Sequence, residues 1–162
     1  MITEGNILNT IKEKGLEVLE IPVASNGSND SGSLSTERKF TIAAMPAYNE
    51  ERSIAKMVLQ CRKYADMVVV FDDGSADSTA DIAKAMGAHV IRHPQNRGYG
   101  GVLQTCFETA RDLAADCMVI LDSDGQHDPA DIPKLLGPLN GGCDVVIGSR
   151  FINGNGKKAL KY

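Results

Sequence analysis

Much that would place this chain in a familiar class is missing from it. No cluster of Lys and Arg breaks its length, and the net charge is −4, which removes nucleic acid as an expected partner. Cys61, Cys106, Cys117 and Cys143 lie far apart, with no Cys-x-x-Cys and no zinc spacing. Each falls in an apolar pattern, which predicts buried, reduced thiols in a cytosolic protein. The N-terminus lacks the basic and apolar blocks of a signal peptide, and no apolar run nears the roughly 20 residues of a membrane helix. No Gly-x-x-x-x-Gly-Lys-Ser/Thr loop is present, so a Walker-type phosphate site is excluded. Gly98-Tyr99-Gly100-Gly101 follows the third regular strand pattern, not the first, and lacks dinucleotide spacing, which argues against NAD.

What remains is an ordinary soluble composition. The chain has 162 residues, 43% hydrophobic and 23% charged, enough for one domain with a buried core. Residues 1–23 read as a helix (Ile7, Leu8, Ile11) ended by Gly15, then an edge strand over Leu16–Ile21 closed by Pro22. Residues 24–37 are almost wholly small and polar and are expected to form a flexible linker.

From Phe40 onward, strand and helix patterns alternate. Strands are expected at Phe40–Met45 (stopped by Pro46), Met67–Phe71, His89–Ile91, Met118–Leu121 and Cys143–Ile147. The first helix carries its stripe at Ile54, Met57, Val58 and Cys61, with Asn49 as its expected cap and Glu50 and Glu51 in its first turn. The second should bury Ile82, Ala83 and Met86 and end at Gly87, and the third should bury Val102, Leu103, Cys106, Ala110 and Leu113. A short helix is expected near Asp131–Leu136. This alternation predicts an α/β fold with a doubly wound, mostly parallel sheet.

In such sheets ligands bind outside the carboxyl ends of the strands. Four loops should open there: Pro46–Glu50, Asp72–Asp77, Asp122–Asp128 and Gly148–Arg150. Asp73 could accept hydrogen bonds from a base or a ribose, although Asp-Asp-Gly-Ser is also simply a good turn and helix cap. Asp122 and Asp124, one residue apart at a strand end, suit a hard divalent cation that keeps phosphate oxygens among its ligands. An acidic turn explains the same pair. An EF-hand does not, because its sixth and twelfth places would hold His127 and Pro133.

The motifs Pro46-Ala47-Tyr48-Asn49-Glu50, Phe71-Asp72-Asp73-Gly74-Ser75-x-Asp77-x-Thr79, Asn96-x-Gly98-x-Gly100, Asp122-x-Asp124-x-Gln126-x-x-Pro129 and Gly148-Ser149-Arg150 occur in this order. Together they resemble the nucleotide-binding half of family 2 glycosyltransferases with the GT-A (Rossmann-like) fold, and above all the dolichyl-phosphate mannose synthase and polyprenyl-phosphate glycosyltransferase branch. The resemblance covers about residues 39–152 and implies a nucleotide-sugar-binding domain over 38–152 with a tail over 153–162.

It also implies roles. Pro46, Tyr48, Glu50, Phe71, Asp73 and Asp122 would hold the nucleotide. Asp122, Asp124 and Gln126 would hold Mg²⁺ or Mn²⁺ against the diphosphate. Asp124 and Arg150 would serve the reaction, the latter beside phosphate. The implied reaction passes a hexose, with inversion, from a GDP- or UDP-linked donor to a polyprenyl or dolichyl phosphate at the cytoplasmic face of a membrane. An anionic phosphate acceptor needs positioning more than a general base, and His127 then reads as a supporting or surface residue.

Family members continue past the Gly-Ser-Arg strand into an acceptor-binding half, whereas this sequence stops at Tyr162. The alternative expectation is therefore a nucleotide-sugar-binding module that lacks the acceptor half and is inactive alone or served by a partner chain. Residues 11–23 resemble a segment that members carry late in the domain. The tail of a preceding copy, a permuted piece packing back on the sheet, and chance all explain that match.

Overall fold

The structure, a computed structural model, describes residues 18–22 and 39–149. The expected N-terminal helix, the 24–37 linker, Arg150 and the 153–162 tail lie outside those residues. The described residues fall into two compact units, 39–130 and 18–22 with 131–149. The boundary falls inside the expected 38–152 domain.

The larger unit is a four-stranded sheet with three helices. Its strands are β2 (Thr41–Ala47), β3 (Met67–Asp72), β4 (His89–Arg92) and β5 (Cys117–Ile120). Their order is β4-β3-β2-β5, and every pair is parallel. The helices are α1 (Ile54–Cys61), α2 (Thr79–Ala85) and α3 (Gly98–Asp112). The chain winds outward from β2 to β4 and then returns to place β5 on β2's other side. That reversal between β2 and β5 is the topological switch point, where the carboxyl ends of adjacent strands part and leave a crevice.

Burial explains the strands. Ala44, Val69 and Phe71 pack with Val102 and Cys106 of α3 in one cluster. Their alternates Ala43, Met45, Val68 and Val70 are buried too. Successive side chains point to opposite faces, so both faces of the sheet are covered and the strands carry no polar alternation. On α1 the expected stripe holds, with Ile54, Met57, Val58 and Cys61 all buried. Burial pushes the thiol of Cys61 up to about 11 and that of Cys106 up to about 12, so both stay protonated and apolar.

Three local expectations are corrected. Pro46 does not stop β2, which runs to Ala47. The C=O of Pro46 accepts a hydrogen bond from Ser123 Oγ and that of Ala47 accepts one from Asp73 N, so the proline faces the β5 side. There the ladder has already ended at Ala44–Ile120, and the missing N–H breaks no strand pairing. On α2 the buried residues are Thr79, Ala80 and Ala83, while Ile82 and Met86 are only partly buried. Small residues let this helix lie close, at the cost of the larger stripe. Asn49 is no helix cap: α1 starts after Ser53, and Asn49 sits in the left-handed region at φ 57°.

In the smaller unit, β1 (Val18–Pro22) pairs in parallel with β6 (Val145–Ser149), in register from Val18–Val145 to Pro22–Ser149. The helix α4 (Ile132–Asn140) lies against β6.

Candidate nucleotide and metal site

A cavity of about 260 Å³ opens at the switch point. Its wall is built from the loop after β2 (Pro46, Tyr48, Glu50), the end of β3 (Asp73), the turn into α3 (Asn96, Gly98, Tyr99) and the loop after β5 (Asp122, Ser123, Asp124). Segments up to 78 residues apart in sequence thus meet because the parallel strands all end on one rim.

The β2 and β3 loops clasp each other through reciprocal hydrogen bonds. Asn49 Oδ1 accepts from Ala76 N at 2.9 Å, while Asn49 N donates to Ser75 Oγ at 2.9 Å. Glu50 N donates to Thr79 Oγ1 at 2.8 Å, and Glu51 N to Asp77 Oδ2 at 3.2 Å. Ser78 N closes the set on Glu51 Oε2 at 3.3 Å. Asp72 is fully buried, accepts from Ser75 N at 3.1 Å and pairs with Arg92 Nε at 3.0 Å. The Asp-Asp-Gly-Ser turn is therefore both a structural turn and a wall of the site.

Asp73 is 4% exposed and tightly held. Its Oδ1 accepts from Arg97 N at 2.9 Å and lies 2.7 Å from His93 Nδ1, and its Oδ2 accepts from Gly98 N at 2.9 Å. Burial alone would push this carboxyl up. The bonds from His93, Arg97 and Gly98 outweigh burial, and the carboxyl is held below the ordinary 3.8. The ionised form only accepts, so His93 Nδ1 carries a proton. On the ring's far side, Nε2 meets Thr105 Oγ1 at 3.0 Å.

The loop after β5 is open. Asp124 is exposed, and its Oδ1 accepts from Gln126 N at 2.8 Å. Asp122 N donates to His127 Nδ1 at 3.0 Å, which leaves His127 Nε2 3.8 Å from Asp122 Oδ2. His127 thereby fixes the loop's shape, as a supporting residue. Among the described residues, no Lys or Arg side chain pairs with Asp122 or Asp124, and no three His, Cys, Asp or Glu side chains form a closed metal cage. Two carboxylates with no Lys or Arg partner among the described residues fit a divalent cation that completes its shell with water and phosphate.

The cavity brings together Pro46, Tyr48, Glu50, Asp73, Asp122 and Asp124. Phe71 is not with them: it is fully buried in the core against α3 and does not line the cavity. Gln126 reaches Asp124 through its backbone but is not part of the lining. Glu50 lines the cavity while its Oε2 accepts from Ser53 Oγ at 2.7 Å. Sequence reasoning missed Tyr99, Asn49 and His93. Tyr99 follows a glycine at φ 74°, and that turn is the one signal that could have marked it. A lone His after a strand carries none.

A parallel α/β sheet with a cavity at its switch point is the architecture of the GT-A fold. Residues 42–161 match the family described as Glycosyl transferase family 2, and the chain belongs to that family. It is 37% identical over 135 residues to the UDP-N-acetylglucosamine–dolichyl-phosphate N-acetylglucosaminyltransferase of Methanococcus voltae, covering 71% of this chain and 53% of that protein. It is 32% identical to the dolichol-phosphate mannosyltransferase of Pyrococcus furiosus, covering 68% of this chain and 33% of that one. The chain thus spans a third to a half of these two relatives. Among solved structures, the glucosyl-3-phosphoglycerate synthase of Mycobacterium tuberculosis with Mn²⁺, UDP and glucosyl-3-phosphoglycerate superposes with a TM-score of 0.54 at 29% identity, covering 62% of this chain and 39% of that one. No helix among the described residues is long and apolar enough to cross a membrane.

Proposed function

We propose that this cavity binds a nucleotide sugar with Mg²⁺ or Mn²⁺, and that the protein passes a hexose from it to a polyprenyl phosphate. One observation carries the reading: one cavity is lined by Tyr48, Tyr99 and Asp73 together with Asp122 and Asp124. Tyr48 and Tyr99 are 50% and 56% exposed, which leaves ring surface for a base, and stacking on an aromatic contributes about 1–3 kcal/mol per base. Four carboxylates line the cavity, so a diphosphate needs a cation between it and Asp122 and Asp124. Asp122, Asp124 and Gln126 would hold that ion. When bound, it stabilises charge on the departing nucleoside diphosphate. Asp124 and Arg150 are the residues assigned to serve the reaction, Asp124 by holding the ion and Arg150 as a forked donor to phosphate.

The named relatives that act on dolichyl phosphate support the acceptor assignment. Donor binding and transfer are separable. The cavity lies wholly within residues 32–130, whereas holding the acceptor in line contributes roughly 7–11 kcal/mol more and needs its own wall. A donor-binding module served by a partner chain is the second reading, since the cavity's whole lining lies within residues 46–124. A thermal-shift screen of nucleotide sugars with and without Mn²⁺ tests the first claim. Labelled donor incubated with short-chain polyprenyl phosphate tests the second. Metal-dependent stabilisation with no labelled lipid supports the module, and labelled lipid supports the transferase. No stabilisation by any nucleotide sugar refutes both.

A further inference from the structure

The loop that carries Asp122 and Asp124 is tied to the sheet at a single point. Parallel pairing of β5 with β2 ends at Ala44–Ile120, where Leu121 N donates to Ala44 O at 3.1 Å. In a parallel ladder each residue bonds the positions on either side of its partner. The next rungs would therefore run from the N–H of residue 46 to Leu121 O, and from Ser123 N to Pro46 O. Proline has no N–H, so the first of these rungs cannot form. Pro46 O is taken by the Ser123 hydroxyl, which donates to it at 2.7 Å. A side chain thus stands in for the ladder where the backbones part.

Ser123 is 3% exposed. Its two neighbours are open: the Asp122 side chain is 45% exposed, Asp124 is exposed, and all three residues line the cavity. The other hydrogen bonds of residues 122–127 stay inside the loop, from Asp122 N to His127 Nδ1 and from Gln126 N to Asp124 Oδ1. Among the described residues, the Ser123 hydroxyl makes the one hydrogen bond that leaves this loop. A buried hydroxyl bonded to a carbonyl is in most proteins no more than a satisfied polar group. This one is set apart by its place, between two carboxylates and at the end of the ladder.

Given the donor-site reading above, we propose that Ser123 is a positioning residue: its bond to Pro46 O holds Asp122 and Asp124 where they meet the cation and the diphosphate together. Without the bond the loop keeps its internal shape but is released from β2. The two carboxylates then lose their register with the loops after β2 and β3, which remain clasped to each other through Asn49. A hydroxyl that only filled the wall would contribute to stability and leave cation binding alone.

Calorimetry at increasing Mn²⁺ with UDP, and again with GDP, gives the Mn²⁺ concentration for half-maximal nucleotide binding. Ser123→Ala should raise that concentration about fivefold or more, the factor that one ordinary hydrogen bond supplies. Ser123→Thr keeps the hydroxyl and should stay within about twofold of the unmutated protein on the same scale. A purely structural role would instead lower the urea midpoint of Ser123→Ala and leave its Mn²⁺ requirement unchanged, which overturns the proposal. Ser123→Thr as impaired as Ser123→Ala would take the effect away from the hydroxyl, and a Ser123→Ala chain that does not fold would mark the bond as structural. Either result also overturns it. Failure of the unmutated protein to bind UDP or GDP at any Mn²⁺ concentration rejects the donor-site reading itself, so the two failures are distinct.

Discussion

Asn49 and Ala76 are joined by a 2.9 Å hydrogen bond from the backbone N–H of Ala76 to Asn49 Oδ1, across two loops 27 residues apart. Asn49 can make it because its backbone lies at φ 57°, a conformation that Asn tolerates better than most residues. The bond ties the loop carrying Tyr48 and Glu50 to the turn carrying Asp73. This side chain, which need not touch a ligand, thus helps to hold together two loops that line the cavity.

Asn49→Ala should therefore lose the bond while keeping the left-handed backbone, at a combined cost of about 1–3 kcal/mol. Asn49→Gly removes the strain and should cost less than Ala. Urea denaturation orders the three proteins, and an alanine variant as stable as the original would show that the clasp contributes nothing.

Gly74 sits at φ 77°, and a Cβ there would lie 3.0 Å from the backbone C of Gln95 and 3.1 Å from Asn96 N. Gly125, at φ 84°, has open space around the same position. Gly125→Ala should cost only the left-handed penalty of about 1–2 kcal/mol. Gly74→Ala should cost more, because backbone must also shift, and it should weaken nucleotide binding by displacing the turn at Asn96–Gly98. Equal losses of stability in the two variants would contradict the close approach.

Asp122 and Asp124 are expected to bind the cation directly. Asp124→Asn keeps an acceptor for Gln126 N and should fold normally, yet lose most metal-dependent affinity for nucleoside diphosphate. Calorimetry with Mn²⁺ and with EDTA measures this. If the unmutated protein binds diphosphate equally well in both, no metal site exists here.

The depressed Asp73 carboxyl makes stability depend on pH. Its folded-state pKa lies below the ordinary 3.8, so its contribution is complete above about pH 4–5 and is lost as pH falls through the folded-state value. The gap in urea midpoint between the original protein and Asp73→Asn should be widest at neutral pH and narrow toward about pH 3. A gap that stays constant across that range would mean that the charge of Asp73 adds no stability.

The strands were legible from the residues alone as short apolar runs, because both faces of the sheet are covered, and the α1 stripe by its helical period. The same holds for Asp122 and Asp124: polar residues directly after a buried strand must stand on the rim of a parallel sheet. Phe71 was not legible. Val68 to Phe71 are all buried, so β3 has no polar alternate to show which face each side chain takes, and only packing against Val102 and Cys106 turned Phe71 inward. The α2 face was misjudged for a related reason, since hydrophobicity favoured Ile82 where close packing chose Thr79, Ala80 and Ala83. Tyr99 belongs to the cavity because α3 starts beside the end of β3. His93 and the clasp of Asn49 were decided only by tertiary structure, because hydrogen bonds between segments 20 or more residues apart leave no periodic trace in either segment. Period and punctuation decided where the elements and the acidic rim lie; the partners of each polar side chain were decided by which loops the sheet brings within bonding distance.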